Sequence, residues 1–401
     1  MSKSSDWDIE RALDAMQASG LSRRTLLKRT GGGALSLGVI GFLAACGDDD
    51  GGGGAGEAKV IPKGQISETL TFANWPLYID VDGKRHPTLD KFERRYGTRV
   101  KYVEEINDNT EFFGKVRQQY AQGNSGGRDL HVVTDWLCNR MIQLGFVQKL
   151  DKSEMPNVVR NIEDAVASPD FDPKRELSVP WQSGQVLIIY RRDRTGGEVR
   201  SINDLFDPKF KGKVTMLTEM RDTVGSVLLA NGVEPEQASK DQALEAIEKV
   251  ERASRDGQIR RFTGNEYTRE ILRGDSVAIL GWSGDAVQLT ADNENVAFSQ
   301  PEEGFMIFTD SMQVPVGAPN AFTAQKMMDF VYRPEIQAAI TEYVNYVPPV
   351  KGAREILQER SPEIAENELI FPDLSEAHNF KTFSEDEEAE IEAAFQRAIG
   401  A

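Results

Sequence analysis

From Glu68 onward the chain alternates short apolar runs with stretches of helical period. Leu70 to Ala73 reads as a short buried strand, and Pro76 ends its pairing because proline has no N–H to donate. Leu89, Phe92 and Tyr96 recur at helical spacing through 87–96, and Gly97 supplies the stop. Arg99 to Val103 is a second strand. Asn109 to Tyr120 is an amphipathic helix with Phe112, Phe113 and Val116 inward. Leu130 to Val133 is a third strand running into Thr134, Asp135 and Trp136, and a helix through Met141 and Leu144 follows. The order βαβαβ predicts an α/β fold with a mostly parallel sheet covered by helices.

The stretch from Ser178 to Gly184 breaks the pattern ahead of a strand at Val186 to Tyr190. A second α/β unit then extends to about Phe308. It holds strands at 213–217 and 276–280 and helices around 221–230 and 240–254. Another strand starts at Asp310, helix 324–332 follows, and the helical tail from Pro334 turns at Tyr346 to Pro349. Two units of this kind fit the 401 residues, and no internal repeat is visible.

The chain begins differently. Arg23 and Arg24, with Leu26, Leu27 and Lys28, precede an apolar run from about Ala34 to Ala45, which is too short to span a membrane as a mature helix. Basic region, short apolar region and small residues make a signal peptide over 1–46. The paired arginines resemble a twin-arginine export signal, and Leu43 to Cys46 (LAAC) resembles a lipoprotein box with Cys46 as the lipidated residue. Residues 47–66 open on Gly and Asp and form a flexible tether. An anchor plus a tether places the folded body just outside a membrane.

Charge narrows the functions. The formal net charge is −17, and the basic leader leaves the remainder more acidic still, at −19. An acidic body lacks the basic footprint that nucleic acid requires. Cys46 and Cys138 form no metal or disulfide framework, Cys138 reads as a core residue, and His86, His131 and His378 lack metal-ligand spacing. No metal or cofactor site is expected. No nucleophile–base pair or phosphate-cradling glycine motif points to an enzyme.

Candidate chemistry sits at strand ends, where open α/β sheets bind ligands. Trp75 and Tyr78 follow the first strand and Trp136 the third. Glu219 and Asp222 follow the strand at 213–217, where acids also suit a helix N-terminus. Several segments, taken in order, resemble one family: 74–78 (NWPLY), 134–136 (TDW), 206–213 (FDPKFKGK), 281–286 (GWSGDA), Asp310 with Ser311, and 345–349 (NYVPP). Together they are similar to the polyamine-binding proteins of ABC importers, over nearly all of the chain from Leu70.

That resemblance implies a type II periplasmic-binding-protein fold. Residues 67–182 plus 310–353 would form one lobe and 183–309 plus 354–401 the other, hinged around an interlobe cleft. It implies a binding box of Trp75, Tyr78, Thr134, Trp136, Glu219, Asp222, Trp282, Phe308, Asp310 and Tyr346. Aromatic faces would cover the methylenes and attract the ammonium groups, and carboxylates would accept their hydrogen bonds. It further implies a monomer working outside the cytoplasmic membrane with an ABC permease and its cytoplasmic ATPase. This sequence departs from the family at Pro76, at Phe308 in place of tryptophan, at Gly264, and in the extra acid Asp135. Another cation (thiamine-like, amino acid or opine) on the same fold, or a membrane-tethered sensor, are the competing readings. Arg140 and Arg221 are the residues that would serve an anionic group.

Overall fold

The computed structural model describes residues 58–374 and 376–400. The predicted leader, the lipidation candidate Cys46 and the first part of the tether lie outside the described residues.

The first region contains β1 (Thr69–Asn74), α1 (Pro87–Tyr96), β2 (Arg99–Glu104), α2 (Asn109–Ala121), β3 (Leu130–Thr134) and α3 (Asp135–Gln143). The chain continues through β4 (Val179–Arg191), β5 (Val214–Leu217), α4 (Met220–Ala230), α5 (Lys240–Arg255), β6 (Ile259–Thr263), α6 (Tyr267–Arg273) and β7 (Ala278–Trp282). It closes with α7 (Ser283–Asp292), β8 (Val296–Ser299), β9 (Phe305–Gln313), α8 (Ala321–Val331), α9 (Pro334–Val344), α10 (Ala353–Arg360), β10 (Ala377–His378) and α11 (Glu385–Ile399). Among the described residues no helix is long and apolar enough to cross a membrane.

Local signals explain the elements near the cleft. Gly97 ends α1 in the left-handed region at φ 68°, and its N–H bonds back to the Glu93 carbonyl. Asp108 caps α2 by accepting from the Glu111 N–H at 2.8 Å. Ser384 and Glu387 form a capping box at the start of α11.

The sheet order is β2-β1-β3-β9-β4-β7-β5-β6. β1 lies parallel between β2 and β3, and β5 lies parallel between β6 and β7. The two parallel halves are joined by β9 and β4, antiparallel to each other and to β3 and β7 respectively. Both flanking parallel sets therefore direct their carboxyl ends toward the same central region.

β4 is thirteen residues long and buried throughout. Its first half pairs with β9 and its second half with β7 and β8. The expected break at 178–184 is therefore corrected: the strand is continuous. Pro180 sits beside a bulge between Pro180 and Gln182, where a missing N–H is tolerated. Likewise β9 begins at Phe305, ahead of the expected start at Asp310. Neither strand shows the expected signature because neither carries a polar–apolar alternation: β4 is buried throughout, and in β9 only Ile307, Phe308 and Thr309 are half-buried.

The C-terminal segment touches both regions. In α10, Ala353 and Leu357 pack on Ala338 of α9. α11 lies along α5, and its Phe395 meets Phe262 of β6 edge to face, with centroids 6.4 Å apart.

Candidate functional site

The chain leaves β1 through Trp75 and Pro76 and turns sharply at Leu77, where φ is 58°. Two hydrogen bonds fix this turn. The Trp75 indole donates to the Val132 carbonyl at 3.1 Å, and the Tyr78 hydroxyl donates to Oδ2 of Asp310 at 2.7 Å. The Thr134 hydroxyl, at the end of β3, donates to Oδ1 of the same carboxylate at 2.7 Å. Asp310 thus collects hydroxyls from the ends of two strands.

The other half supplies matching groups. Glu219, just after β5, accepts from the Asn109 backbone N–H at 2.7 Å and from its side-chain amide at 2.8 Å. Asp222, in the first turn of α4, accepts the Trp282 indole N–H at 2.8 Å. Tyr267 donates to Oδ2 of Asp285 at 2.5 Å, Tyr346 to Oδ1 at 3.1 Å, and the Asn265 amide to Oδ2 at 3.3 Å.

Aromatic rings connect these acids edge to face. Trp75 meets Trp282 at 6.1 Å, Trp282 meets Phe308 at 6.3 Å, Phe308 meets Tyr346 at 6.4 Å, and Tyr346 meets Tyr78 at 5.0 Å. Phe308 and Tyr346 converge on Gly184 of β4. A Cβ there would lie 2.6 Å from the Phe308 ring and 3.0 Å from the Tyr346 ring, so only glycine fits.

All ten residues expected in the box, from Trp75 to Tyr346, line one cavity of about 1330 Å³. Glu219, Asp222 and Asp310 line this cavity, Asp285 lies behind Tyr346, and the four acids share an electrostatic signature. Burial raises the carboxyl of Asp310 to about 7 against the pull of Thr134 and Tyr78, and Asp135 and Asp222 add to the rise. Burial raises Asp222 to about 6, opposed by its bond to Trp282 and by the nearby Arg221. Glu219 is raised well above the usual range by burial and by Asp108, and Asp285 is raised by burial. The donors on all four are neutral hydroxyl, amide or indole groups.

Four residues stand differently from the expectation. Trp136 lines the cavity, but the Arg221 guanidinium covers its ring at 3.8 Å. Arg221 is in turn ion-paired with Glu388 of α11, and Arg140 pairs with Glu392 one turn further on, at 3.2 Å. Both arginines are thus held by carboxylates of the chain itself. The extra acid Asp135 is bonded to Ser311 and lies 3.5 Å from the buried Arg175.

Sequence reasoning missed Asp285, Tyr267 and Asn109 as members of the site. Asp285 stood inside the GWSGDA segment. Asn109 carried no signal beyond a helix start, because its partner Glu219 is 110 residues away. Further contacts between the halves lie beside it. The Asn107 amide reaches Glu266 at 3.1 Å, and the Asn107 carbonyl lies 2.2 Å from where a Cβ on Gly264 would be. Gly264 therefore permits a close approach of backbone across the cleft.

Two parallel sheet halves, two long strands running between them and a central cavity at the strand ends define a periplasmic-binding-protein fold of the second type, a class built to enclose a small solute. The chain belongs to the bacterial extracellular solute-binding protein family, whose model matches residues 88–372.

The spermidine/putrescine-binding periplasmic protein of Escherichia coli K12 is 24% identical over 314 residues, covering 78% of this chain and 86% of that protein. The putrescine-binding periplasmic protein PotF of the same strain is 27% identical over 345 residues, covering 79% of this chain and 88% of its own. Among solved structures, the TpPotD lipoprotein of Treponema pallidum superposes with a TM-score of 0.70 at 21% identity, over 83% of this chain and all of that one.

Proposed function

We propose that this chain is the substrate-binding component of an ABC importer and captures polyamines, spermidine- or putrescine-like, outside the cytoplasmic membrane. The observation that carries this reading is the set of buried carboxylates that line the cavity, Glu219, Asp222 and Asp310, each hydrogen-bonded only to neutral donors, with Asp285 held behind the cavity-lining Tyr346. Buried carboxylates short of cationic partners are unfavourable; Arg221 offsets part of the charge at Asp222, and a ligand bearing ammonium groups supplies the rest. Trp75, Tyr78, Trp282, Phe308 and Tyr346 offer faces for the methylenes between those groups. The names of the two Escherichia coli relatives point the same way.

In this proposal the lobes, 67–182 plus 310–353 and 183–309 plus 354–401, hinge at β4 and β9, except that α10 goes with the first lobe because it packs on α9. Closure over the ligand signals the loaded state to a membrane permease driven by a cytoplasmic ATPase. Cys46 carries a lipid anchor after twin-arginine export, the 47–66 tether gives reach, and the protein works as a monomer with no catalytic step.

The test is thermal unfolding of the purified protein with putrescine, spermidine, spermine, thiamine, arginine and glutamate in turn. At 100 times its dissociation constant a ligand adds about 2.7 kcal/mol, a clear rise in midpoint. A rise with polyamines alone is the expected result. A rise only with thiamine, arginine or glutamate would replace the ligand class, and no rise with any of them would remove the proposal.

The pH dependence follows from the raised carboxyls. A cation binds the ionised form, so binding must expel the protons that Asp310 holds up to about 7 and Asp222 up to about 6. Affinity is expected to fall as pH drops from 8 to 5, with proton release visible by calorimetry in buffers of different ionisation enthalpy. The unliganded protein runs the other way. Its folded carboxyls retain protons that unfolded Asp, at 3.8, has lost. Their contribution to stability is therefore present below about pH 4 and lost as pH rises through 6 to 7. The ligand-induced rise in midpoint should accordingly grow across this window, and a flat profile would show that these acids do not meet the ligand.

A further inference from the structure

We infer that the turn 107–109 is a latch that holds the cleft shut: Asn107 and Asn109 bond across to Glu219 and to the turn after β6, and Asn109 acts on the ligand by positioning Glu219. The inference rests on the hinged polyamine reading above and deepens it to the residues that close the site.

The contacts form one seam. The Asn109 backbone N–H and side-chain amide donate to the same Glu219 oxygen, Oε1, at 2.7 and 2.8 Å. That leaves Oε2 for an ammonium group. Beside them the Asn107 amide donates to Glu266 at 3.1 Å, and the Asn265 backbone N–H donates to the Asn107 side-chain carbonyl at 3.3 Å. Asn107 and Asn109 stand at the start of α2, in the β1–β3 half, whereas Glu219 and 264–266 follow β5 and β6 in the other. A hinge that opens the cleft must break all of these bonds.

Asn109 is buried and anchored on its own side. Its side-chain carbonyl accepts the Thr134 N–H at 3.1 Å, and its amide also donates to the Thr134 hydroxyl at 2.8 Å. That hydroxyl donates to Asp310 at 2.7 Å. Closure therefore connects Glu219 and Asp310, two acids offered to the ligand from opposite sides, through Asn109 and Thr134. Burial and the neighbouring Asp108 and Asp222 oppose an ionised Glu219, and the two Asn109 bonds offset part of that opposition.

Gly264 separates closure from folding. A Cβ there would lie 2.2 Å from the Asn107 carbonyl, and its nearest neighbours are all atoms of Asn107. Its φ lies outside the left-handed region, so the backbone accepts alanine. Alanine at 264 thus obstructs the seam while sparing its own half.

The test measures putrescine and spermidine binding, by isothermal titration and stopped-flow kinetics, to the wild type, N109A, G264A and N109A/G264A. A latch acts after the ligand has entered. Each single variant should therefore speed dissociation about tenfold, with association changed less than about threefold. The double variant should dissociate no more than about threefold faster than the quicker single variant, because a seam held open has no Asn109 contact left to lose. Single effects that multiply in the double variant would make Asn109 a ligand contact or a packing residue of its own half, and would overturn the latch. An unchanged dissociation rate in G264A would overturn it as well. Both results leave the polyamine reading standing, whereas a wild type that binds neither amine removes both.

Discussion

Asp310→Asn is expected to weaken binding of a cationic ligand about 100-fold with little disturbance of the fold. Asp310 is 4% exposed and holds the Tyr78 and Thr134 hydroxyls on its two oxygens. Truncating one partner of a buried charged hydrogen bond costs about 2–5 kcal/mol of binding. The amide keeps the shape and one acceptor, and the hydroxyl facing its NH₂ group can turn to accept. Unliganded stability should move in the opposite direction. At pH 8 the wild-type protein carries an ionised carboxylate in a desolvated position, which the asparagine does not. The variant should therefore match or exceed the wild-type midpoint at pH 8, and the advantage should shrink as pH falls through 7 and disappear by the time pH drops below about 4, where the carboxyl becomes protonated in both states. Calorimetric titration and thermal unfolding at both pH values check the two halves. Unchanged binding of every cationic ligand would remove Asp310 from the site.

Trp282→Ala is expected to abolish measurable binding and to destabilise the protein by about 3–5 kcal/mol, the usual penalty for truncating a buried tryptophan. Trp282 lies at the centre of the ring set, touching Trp75, Tyr267 and Phe308, while its indole N–H holds Asp222. Because a loss of fold and a loss of site would look alike here, Trp282→Phe separates them. Phenylalanine restores most of the packing but leaves Asp222 without its donor. That hydrogen bond lowers the Asp222 carboxyl, so its removal should lift the carboxyl further above about 6 and move the midpoint of the affinity–pH curve upward. A phenylalanine variant with wild-type affinity and pH profile would show that Trp282 serves packing alone.

Sequence and tertiary structure divided the description along a physical line. The chain's own pattern determined whatever depends on neighbours a few residues apart. Helix α1 with its Gly97 stop, the strands at 69–74 and 130–134, and the placing of Trp75, Tyr78 and Thr134 at strand ends were all readable, because periodicity and breakers act locally. The ordered motifs supplied most of the rim, since each strand end carries its residues as a short contiguous string.

Tertiary structure alone decided what those strings meet. The stretch 178–184 read as a break, yet β4 runs straight through it, because pairing with β9 on one side and β7 and β8 on the other outweighs the local signal at a bulge. Asn109 gave no sign of reaching Glu219 across the cleft, nor Tyr267 and Tyr346 of sharing Asp285. Trp136 was read as a free aromatic face, but a guanidinium from the other half covers it. Glu388 and Glu392 of α11 hold the two arginines that sequence alone left as anion-binding candidates. Each of these depends on which distant segments come together. A linear pattern encodes a residue's chemistry and its face, whereas its partner is chosen by the packing of elements hundreds of positions apart.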